Sequence, residues 1–205
     1  NTVNIQPPSN YPSVNGATPT NTTCVGSNNG TISFTGNGGT SPYTFSIDNG
    51  ATYVNSGNFT NLAPGTYLVK VKDANTCQSS AVTVIVYEAN PINVSTNVTQ
   101  PLCSNNFGTV VIQPSGGSGS FTYSQDGTVF QSNNSFSNLA GGSYTFTVND
   151  GNGCSKIVNA TIATPSPLTS SIESQINVLC KGDATGSVSI LPSGGTPSYT
   201  ISPSQ

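Results

Sequence analysis

The sequence predicts an all-β protein made of tandem Ig-like or fibronectin-like β-sandwich repeats of about 77 residues, with no helices of note. Three observations predict this fold class. A Gly-Gly pair recurs at a fixed interval, short alternating runs of apolar and polar residues follow the same order in each interval, and no segment shows helical periodicity. Turn-forming residues separate the runs into about seven short strands per repeat, which is typical of a sandwich.

The Gly-Gly pair sets the period of the repeat. The pairs are Gly38-Gly39, Gly116-Gly117 and Gly194-Gly195, spaced by 78 residues, and each is followed by an aromatic residue, Tyr43, Phe121 or Tyr199. Before each pair lies an alternating run of β-forming residues, at 30–34, 108–112 and 186–190. The same strand is therefore predicted three times.

A turn and a strand recur in the later half of the repeat. Residues 61–67 match residues 138–144, and each segment continues into an alternating strand that ends at Cys77 or Cys154. The spacing of leucine, glycine and tyrosine in both segments predicts a tyrosine corner, in which the hydroxyl of Tyr67 or Tyr144 bonds back to the backbone at the edge of the sandwich.

These matches divide the chain into four parts. We predict an N-terminal joint or cap at 1–20, a first sandwich repeat at 21–91, a second at 92–168 and a truncated third at 169–205, and we expect the natural chain to continue. Pro91 and Pro165 fall between copies. Because proline fixes φ and removes a backbone donor, we expect semi-rigid joints.

The charge content excludes several classes of function. Charged residues make up 5% of the chain, with four basic and seven acidic side chains, against roughly 25% in an ordinary soluble protein. Such a surface has little attraction for phosphate backbones or anionic lipid. No stretch of about 18 apolar residues is present. We therefore predict no nucleic-acid partner and no membrane insertion.

The five cysteines indicate an oxidising compartment, since the chain has no histidine and no Cys-x-x-Cys pair for zinc. The repeated spacing favours Cys24–Cys77 and Cys103–Cys154, each closing a loop worth roughly 4 kcal/mol, with the partner of Cys180 outside the chain. The alternative is Cys24–Cys154, because sandwich topology places the two connections of one unit at opposite ends and bridged Cα atoms lie within about 7 Å.

The motifs together resemble the SprB-type repeat over residues 22–205. The resemblance rests on a cysteine followed by Gly-Thr-Ile-Ser-Phe, Gly-Gly-Thr-Ser-Pro-Tyr-Thr-Phe-Ser, Leu-Ala-Pro-Gly-Thr-Tyr and Asp-Ala-Asn-Thr-Cys. Two segments depart from the pattern: Gly119-Ser120-Phe121 replaces the usual Pro-Tyr, and residues 1–20 match no unit.

The resemblance implies a large adhesin of gliding Bacteroidetes, exported by the type IX system and displayed outside the cell on the outer membrane. The predicted function is a non-catalytic repeat shaft for gliding or attachment. The alternatives are weak multivalent glycan- or protein-binding modules, and spacer repeats of a larger secreted enzyme. The expected partners are neighbouring repeats, surface polysaccharide and outer-membrane or secretion machinery.

Catalysis is not expected, because there is no histidine base and the seven acids are scattered, mostly at turn positions. No catalytic residue and no cofactor are therefore predicted. Asp73 and Asn75, with Asp150 and Asn152, are calcium candidates, since oxygen ligands at alternate positions suit calcium. An Asx-turn is the favoured interpretation, because one carboxylate per site is little charge for Ca²⁺.

The aromatic residues in the middle of each repeat are candidates for a sugar platform. They are Tyr53, Phe59, Phe130 and Phe136, of which Tyr53 and Phe130 are the ligand candidates. Alternating aromatics in a small sandwich are more often core, and that interpretation is favoured. The remaining tyrosines of the motifs, Tyr43, Tyr67, Tyr144 and Tyr199, are predicted to be structural.

Overall fold

The computed structural model describes residues 10–202, and the regular structure of those residues is entirely β. The first sandwich contains β1 (Ser13–Thr20), β2 (Gly30–Asn37), β3 (Thr44–Ser46), β4 (Asn58–Leu62), β5 (Gly65–Lys72) and β6 (Val82–Val86). These strands form two antiparallel sheets, β1-β2-β4 and β3-β5-β6.

The second sandwich repeats this arrangement. It contains β7 (Ile92–Thr99), β8 (Gly108–Gly116), β9 (Thr122–Ser124), β10 (Ser135–Leu139), β11 (Gly142–Asn149) and β12 (Ser155–Ile162). The sheets are β7-β8-β10 and β9-β11-β12, so each strand has the same neighbours as its counterpart in the first sandwich. Two three-stranded sheets in this order form an Ig-like β-sandwich, as predicted.

The third copy contributes one strand pair to the described residues. Strands β13 (Thr169–Ile176) and β14 (Ser187–Ser193) pair as β1 and β2 do. Val188 on β14 is 57% exposed, whereas its counterpart Val110 on β8 is fully buried. The apolar side of this pair is uncovered because no second sheet packs on it within residues 10–202.

Each complete sandwich has six named strands instead of the predicted seven. Between β3 and β4 the chain makes two isolated bridges, Phe45 to Val54 and Asp48 to Leu68, and between β9 and β10 the bridge is Tyr123 to Gln131. These bridges hold each segment against its sheet without a further strand.

The predicted boundary at residue 20 is wrong for residues 13–20, because β1 pairs with β2 and so belongs to the first sandwich. The pairing register of β1 shifts between Asn15 and Thr18, and Gly16 has a positive φ of 66°. This irregularity breaks the alternation that marks a strand in sequence. Residues 1–9 of the predicted cap lie outside the described residues.

The chain divides into two compact units. Unit 1 comprises Asn1–Ile92, Gly116–Gly119 and Gly151–Cys154, and unit 2 comprises Asn93–Ser115, Ser120–Asp150 and Ser155–Gln205. The break after Ile92 falls beside the predicted boundary between the first two repeats. The third copy is part of unit 2 and does not form a unit of its own.

Alternating side chains of facing sheets fill a separate core in each complete sandwich. In the first, the buried apolar residues are Ile32, Phe34, Val69, Val71, Val84 and Val86. In the second, they are Val110, Ile112, Tyr123, Leu139, Phe146, Val148, Ala160 and Ile162. Each sandwich therefore has a complete hydrophobic core.

Candidate functional site

The Gly-Gly pairs make one backbone contact in all three copies. The second glycine donates its N–H to a carbonyl that precedes the first strand of the same copy; the pairs are Gly39 to Asn10 (3.1 Å), Gly117 to Pro91 (3.2 Å) and Gly195 to Ser166 (3.0 Å). All six glycines have positive φ, between 55° and 75°. A Cβ on the first glycine would overlap a carbonyl oxygen, that of Tyr11, Pro91 or Pro167. The repeated glycines are thus required by backbone geometry.

The motif tyrosines hold turns together. The hydroxyl of Tyr67 donates to the Ala63 carbonyl (2.8 Å) and that of Tyr144 to the Ala140 carbonyl (2.9 Å), which confirms the predicted tyrosine corners. The hydroxyls of Tyr43 and Tyr199 donate to the carbonyls of Gly38 and Gly194, both at 2.6 Å. The second copy has Phe121 at this position and lacks the corresponding hydroxyl. These tyrosines therefore serve the fold.

One disulfide is present among the described residues, and it joins Cys24 to Cys154 with a Cα–Cα distance of 5.6 Å. Cys24 lies between β1 and β2, Cys154 lies between β11 and β12, and both belong to unit 1. Cys77, Cys103 and Cys180 are free thiols. The pairings favoured by spacing, Cys24–Cys77 and Cys103–Cys154, are therefore wrong, and the alternative is the observed bond.

Sandwich topology explains the correction. The loop of Cys24 lies beside the end of β6, where Thr22 N–H donates to the Tyr87 carbonyl (3.2 Å). The loop of Cys77 lies beside the far end of β2, where Ala74 N–H donates to the Thr40 carbonyl (2.9 Å). The eight residues of β2 separate these ends by roughly 25 Å, which is far more than a disulfide spans.

Asp73 closes a turn through three backbone hydrogen bonds. Its carboxylate accepts the N–H groups of Thr40 (3.0 Å), Asn75 (3.0 Å) and Cys77 (2.9 Å). The side-chain amide of Asn75 donates to the Thr40 hydroxyl (2.9 Å), so its nitrogen faces this turn. This is the Asx-turn that the sequence favoured.

The second copy builds its turn with partly different contacts. Asp150 is 7% exposed, close to the 6% of Asp73. Gly151 N–H donates to the Gly119 carbonyl (3.0 Å), and Asn152 N–H donates to the Ser118 hydroxyl (3.1 Å). Residues 10–202 contain no group of three or more His, Cys, Asp or Glu side chains able to hold a metal ion. Calcium binding by these turns stays a prediction.

A buried serine organises a second turn that the sequence reasoning missed. Ser46 ends β3 and Ser124 ends β9, each is 1% exposed, and each donates its hydroxyl to the aspartate two residues later. The distances are 2.6 Å to Asp48 and 2.8 Å to Asp126. The same hydroxyls accept the N–H of Gly50 (2.8 Å) and Gly127 (2.9 Å). The repeated Ser-x-Asp spacing would have revealed this turn.

Both aspartates of these turns have low pKa values. Hydrogen bonds from the hydroxyls of Ser46 and Thr52 hold the pKa of Asp48 well below its usual range. The backbone N–H groups of Val129 and Thr128 lower the pKa of Asp126 in the same way, with a smaller contribution from Ser124. The carboxylates are thus ionised and hydrogen-bonded within their own turns, which does not fit the raised pKa of a general acid.

The aromatic candidates separate into two groups. Phe59 and Phe136 pack against the two cores, as the favoured interpretation predicts. Tyr53 and Phe130 are half-buried at equivalent positions outside the core clusters.

The surroundings of Tyr53 are specific to the first copy. The Lys72 Nζ lies 4.2 Å from the centroid of the Tyr53 ring, a cation–π contact. The Tyr53 hydroxyl is buried and has no hydrogen-bond partner among the described residues. Burial, with a smaller contribution from Asp48, raises its pKa. The second copy has Phe130 and Asn149 at the positions of Tyr53 and Lys72, so the cation and the hydroxyl do not recur.

The repeated features define the class of protein as an array of Ig-like sandwiches whose recurring residues serve turns, corners and disulfide bonding. A family model described as the SprB repeat matches residues 16–52, 95–130 and 172–204, about half of the chain. The chain therefore belongs to the SprB repeat family, and the predicted resemblance is confirmed.

A search of curated proteins found no match. Residues 10–202 include no helix with the length and apolarity needed to cross a bilayer.

Several solved structures resemble the fold weakly. The three N-terminal domains of the highly immunogenic outer capsid protein of bacteriophage RB49 are 14% identical, with a TM-score of 0.42, covering 90% of this chain and 70% of that chain. A C-terminal fragment of intimin, in complex with the intimin-binding domain of the translocated intimin receptor, is 17% identical, with a TM-score of 0.36 and coverages of 77% and 66%. Domains 4 and 5 of the S-layer protein SbsC are 17% identical, with a TM-score of 0.33 and coverages of 74% and 99%. Likenesses this weak carry no functional conclusion.

Proposed function

We propose that this chain is part of the non-catalytic repeat shaft of a secreted adhesin on the bacterial cell surface, used for attachment or gliding. One observation carries the proposal: the features that recur between copies are structural, and the features able to bind a ligand do not recur. A module repeated for binding would repeat its binding residues.

The recurring residues support a mechanical role. The glycine pairs, the tyrosine corners and the serine–aspartate turns occupy equivalent places and make equivalent hydrogen bonds. Each fixes a loop at one end of a sandwich. Repetition of such features preserves the shape of the unit, which is the property that a shaft requires.

The chemistry of the described residues offers no catalytic constellation. The chain has no histidine. The carboxylates of Asp48, Asp73 and Asp126 accept hydrogen bonds from backbone N–H groups of their own turns. A glycosidase requires two facing carboxyl groups. A shaft without catalytic activity fits these side chains better than a hydrolase does.

Family membership and the disulfide support a location outside the cell. We include in the proposal export by the type IX system and attachment at the outer membrane. Neighbouring repeats, surface polysaccharide and outer-membrane or secretion machinery are the proposed partners. With only four basic side chains the array has little electrostatic attraction for nucleic acid.

A second candidate function is weak glycan or protein binding by the first copy. The Tyr53 hydroxyl, which has no hydrogen-bond partner among the described residues, favours it, since a ligand oxygen would satisfy that hydroxyl and the Lys72 Nζ lies over the same ring. The phenylalanine and asparagine at these places in the second copy count against binding by every repeat. Avidity from many weak sites would need the same residues in each copy.

The test is binding of the oxidised full chain to a glycan array and to polysaccharide-coated surfaces, with and without calcium. A shaft gives no saturable binding in either condition. Saturable binding that Tyr53→Ala or Phe130→Ala abolishes would overturn the proposal and make the repeats themselves adhesive. Tyr87→Phe is the control, because the Tyr87 side chain is 59% exposed and distant in sequence from both candidates.

A further inference from the structure

We infer that the cysteines of this array form a staggered ladder, in which the first cysteine of each copy bonds to the second cysteine of the next copy. The first cysteines are Cys24, Cys103 and Cys180, and the second cysteines are Cys77 and Cys154. Cys103 is then a covalent docking point for a following SprB-type copy. This inference concerns how copies are joined and does not depend on the proposed function.

The ladder starts from the bond that the structure contains. Cys24, the first cysteine of copy one, is bonded to Cys154, the second cysteine of copy two, across 130 residues of chain. Cys77 and Cys103, the other cysteines of the same two copies, are both free thiols. The in-copy alternative would have used all four of these residues.

The free cysteines share the backbone geometry of the bonded ones. Each first cysteine accepts a hydrogen bond at its carbonyl from the N–H three residues later; the pairs are Ser27 to Cys24 (3.1 Å), Asn106 to Cys103 (3.1 Å) and Asp183 to Cys180 (3.2 Å). The residue before each second cysteine has a left-handed conformation, with φ of 67° at Thr76 and 81° at Gly153. Cys103 is therefore presented as Cys24 is, and Cys77 as Cys154 is.

The surroundings of Cys103 match those of the bonded pair on three sides. Beside Cys24 and Cys154, unit 1 has a groove of about 220 Å³ lined by 21–23, 88–90, 117–118 and Asn152. Beside Cys103, unit 2 has a groove of about 480 Å³ lined by 102–104, Ser166, Leu168 and 195–196. Leu102, Ser166, Leu168 and 195–196 correspond to residues of the first lining at a spacing of 78 or 79 residues. Cys103 and Ser104 correspond to Cys24 and Val25, which do not line the first groove, and no counterpart of Asn152 lines the second groove among residues 10–202.

The missing side identifies the occupant. Asn152 belongs to the loop that carries Cys154, so the open side of the second groove is the place where the loop of a second cysteine would lie. Leu102 is 76% exposed and Leu168 is 64% exposed at this groove, and such a loop would cover both. The partner is therefore the segment of a following copy equivalent to residues 151–154.

The bond forms by thiol–disulfide exchange. The Cys103 thiol and the thiol of the following copy lose two protons and two electrons as the S–S bond forms. A small-molecule or protein disulfide accepts them and is reduced to two thiols. The compartment that oxidises Cys24 and Cys154 supplies the same oxidant.

The first test uses the unaltered full chain. Alkylation of the oxidised, denatured chain followed by mass spectrometry should modify three cysteines, Cys77, Cys103 and Cys180, and peptide mapping should recover one linked pair, 24–154. Modification of Cys180 alone, with linked pairs 24–77 and 103–154, would overturn the ladder.

The second test supplies the missing partner. The full chain is extended after Gln205 by a second copy of residues 128–168, since Gln205 aligns with Gly127 at the repeat spacing. This addition completes the third copy and adds one cysteine, equivalent to Cys154. The mapping should then find Cys103 linked to the added cysteine, with the 24–154 pair unchanged.

The matched control in the extended chain is Cys103→Ser. The ladder predicts that the added cysteine then reacts fully with the alkylating reagent and that the 24–154 pair remains. A link between Cys180 and the added cysteine, in the parent or in this variant, would contradict the ladder because both would belong to the third copy.

Discussion

Gly116 is held at a φ of 75° against the carbonyl oxygen of Pro91, and Gly38 and Gly194 have the same relation to Tyr11 and Pro167. A side chain at these positions has to overcome both an unfavourable φ and a backbone oxygen. Two separate constraints therefore act on one residue. They explain in physical terms why the glycine pair is the most regular feature of the sequence.

Gly116→Ala should destabilise the chain more than Gly119→Ala. Both glycines have nearly the same φ, 75° and 76°, but a Cβ at Gly119 meets nothing within 4 Å. The left-handed conformation alone costs about 1 kcal/mol, and the overlap at Gly116 adds roughly 2 kcal/mol. Urea unfolding of the oxidised chain measures both free energies. Equal losses in the two variants would show that the close approach is unimportant.

Asp48 and Asp126 couple stability to pH. Their hydrogen bonds lower the folded-state pKa values below the unfolded value of about 3.9. A carboxylate whose pKa is lower in the folded state stabilises the fold above its unfolded pKa, and this stabilisation is lost as the pH falls toward the folded pKa. The sandwiches should therefore lose stability in acid even though they have few charges.

The double variant Asp48→Asn, Asp126→Asn should remove part of this acid sensitivity. Asparagine keeps a side-chain oxygen as an acceptor but cannot titrate, so the fall in melting temperature between about pH 5 and pH 3 should be shallower than in the parent chain. Melting curves across this range measure the difference. Parallel curves for parent and variant would mean that other groups cause the acid sensitivity. Asp183→Asn is a control at an exposed position.

The large core side chain lies on a different strand in each of the two sandwiches. In the first sandwich β2 carries Phe34 and β5 carries Val69, whereas in the second β8 carries Ile112 and β11 carries Phe146, and all four are almost fully buried. In the first sandwich the Phe59 ring of β4 stacks on the Phe34 ring. In the second, the ring centroids of Phe136 on β10 and Phe146 on β11 lie 4.8 Å apart. The combined volume of the two facing side chains is thus similar in both sandwiches, although the phenylalanine belongs to a different sheet in each.

This difference predicts coupling in the first sandwich. Phe34→Ile should cost roughly 1 kcal/mol by leaving a cavity, and Val69→Phe should cost about 1–3 kcal/mol by overpacking. The double variant, which recreates the pattern of the second copy, should be more stable than the sum of the single losses by about 1 kcal/mol. Denaturant unfolding of the four proteins closes the cycle. Strict additivity would mean that the two positions do not share one packing space.

The elements found from sequence were those with uninterrupted alternation, such as β2, β5 and their counterparts. β1 was missed because Gly16 and a shifted register break its alternation. The expected seventh strand is reduced to isolated bridges, at Asp48 and Val54 in the first sandwich and at Gln131 in the second, and the local sequence there does not differ from that of a short strand. Hydrophobic period reveals a strand but not how many of its residues find partners.

The disulfide shows what sequence spacing cannot decide. Every copy repeats at nearly the same interval, so in-copy bonds and bonds between successive copies predict the same regular cysteine spacing. Only the positions of the two connections at opposite ends of a sandwich distinguish them, and that requires the order of strands in the sheets. The exposure of the ligand candidates Tyr53 and Phe130 could not be read from sequence for a similar reason, since it depends on the bridges that follow β3 and β9.

The bond should limit how far the chain extends under tension. Residues between Cys24 and Cys154 cannot lengthen while the bond holds, and 130 residues of released chain would span about 440 Å when fully extended. Single-molecule pulling from the two ends should therefore show about this much added contour length in reductant. Cys154→Ser should show the longer extension without reductant. Equal extensions in all three conditions would mean that the bond does not form in solution.

The same closed ring changes what a single break in the backbone does. A protease that cuts one exposed loop between residues 25 and 153, such as the segment around Val129, leaves both pieces attached through Cys24 and Cys154. Under the ladder, successive rings overlap from residue 103 to residue 154, so that a cut there is bridged twice. A cut in one loop of such an array would then leave the chain covalently continuous.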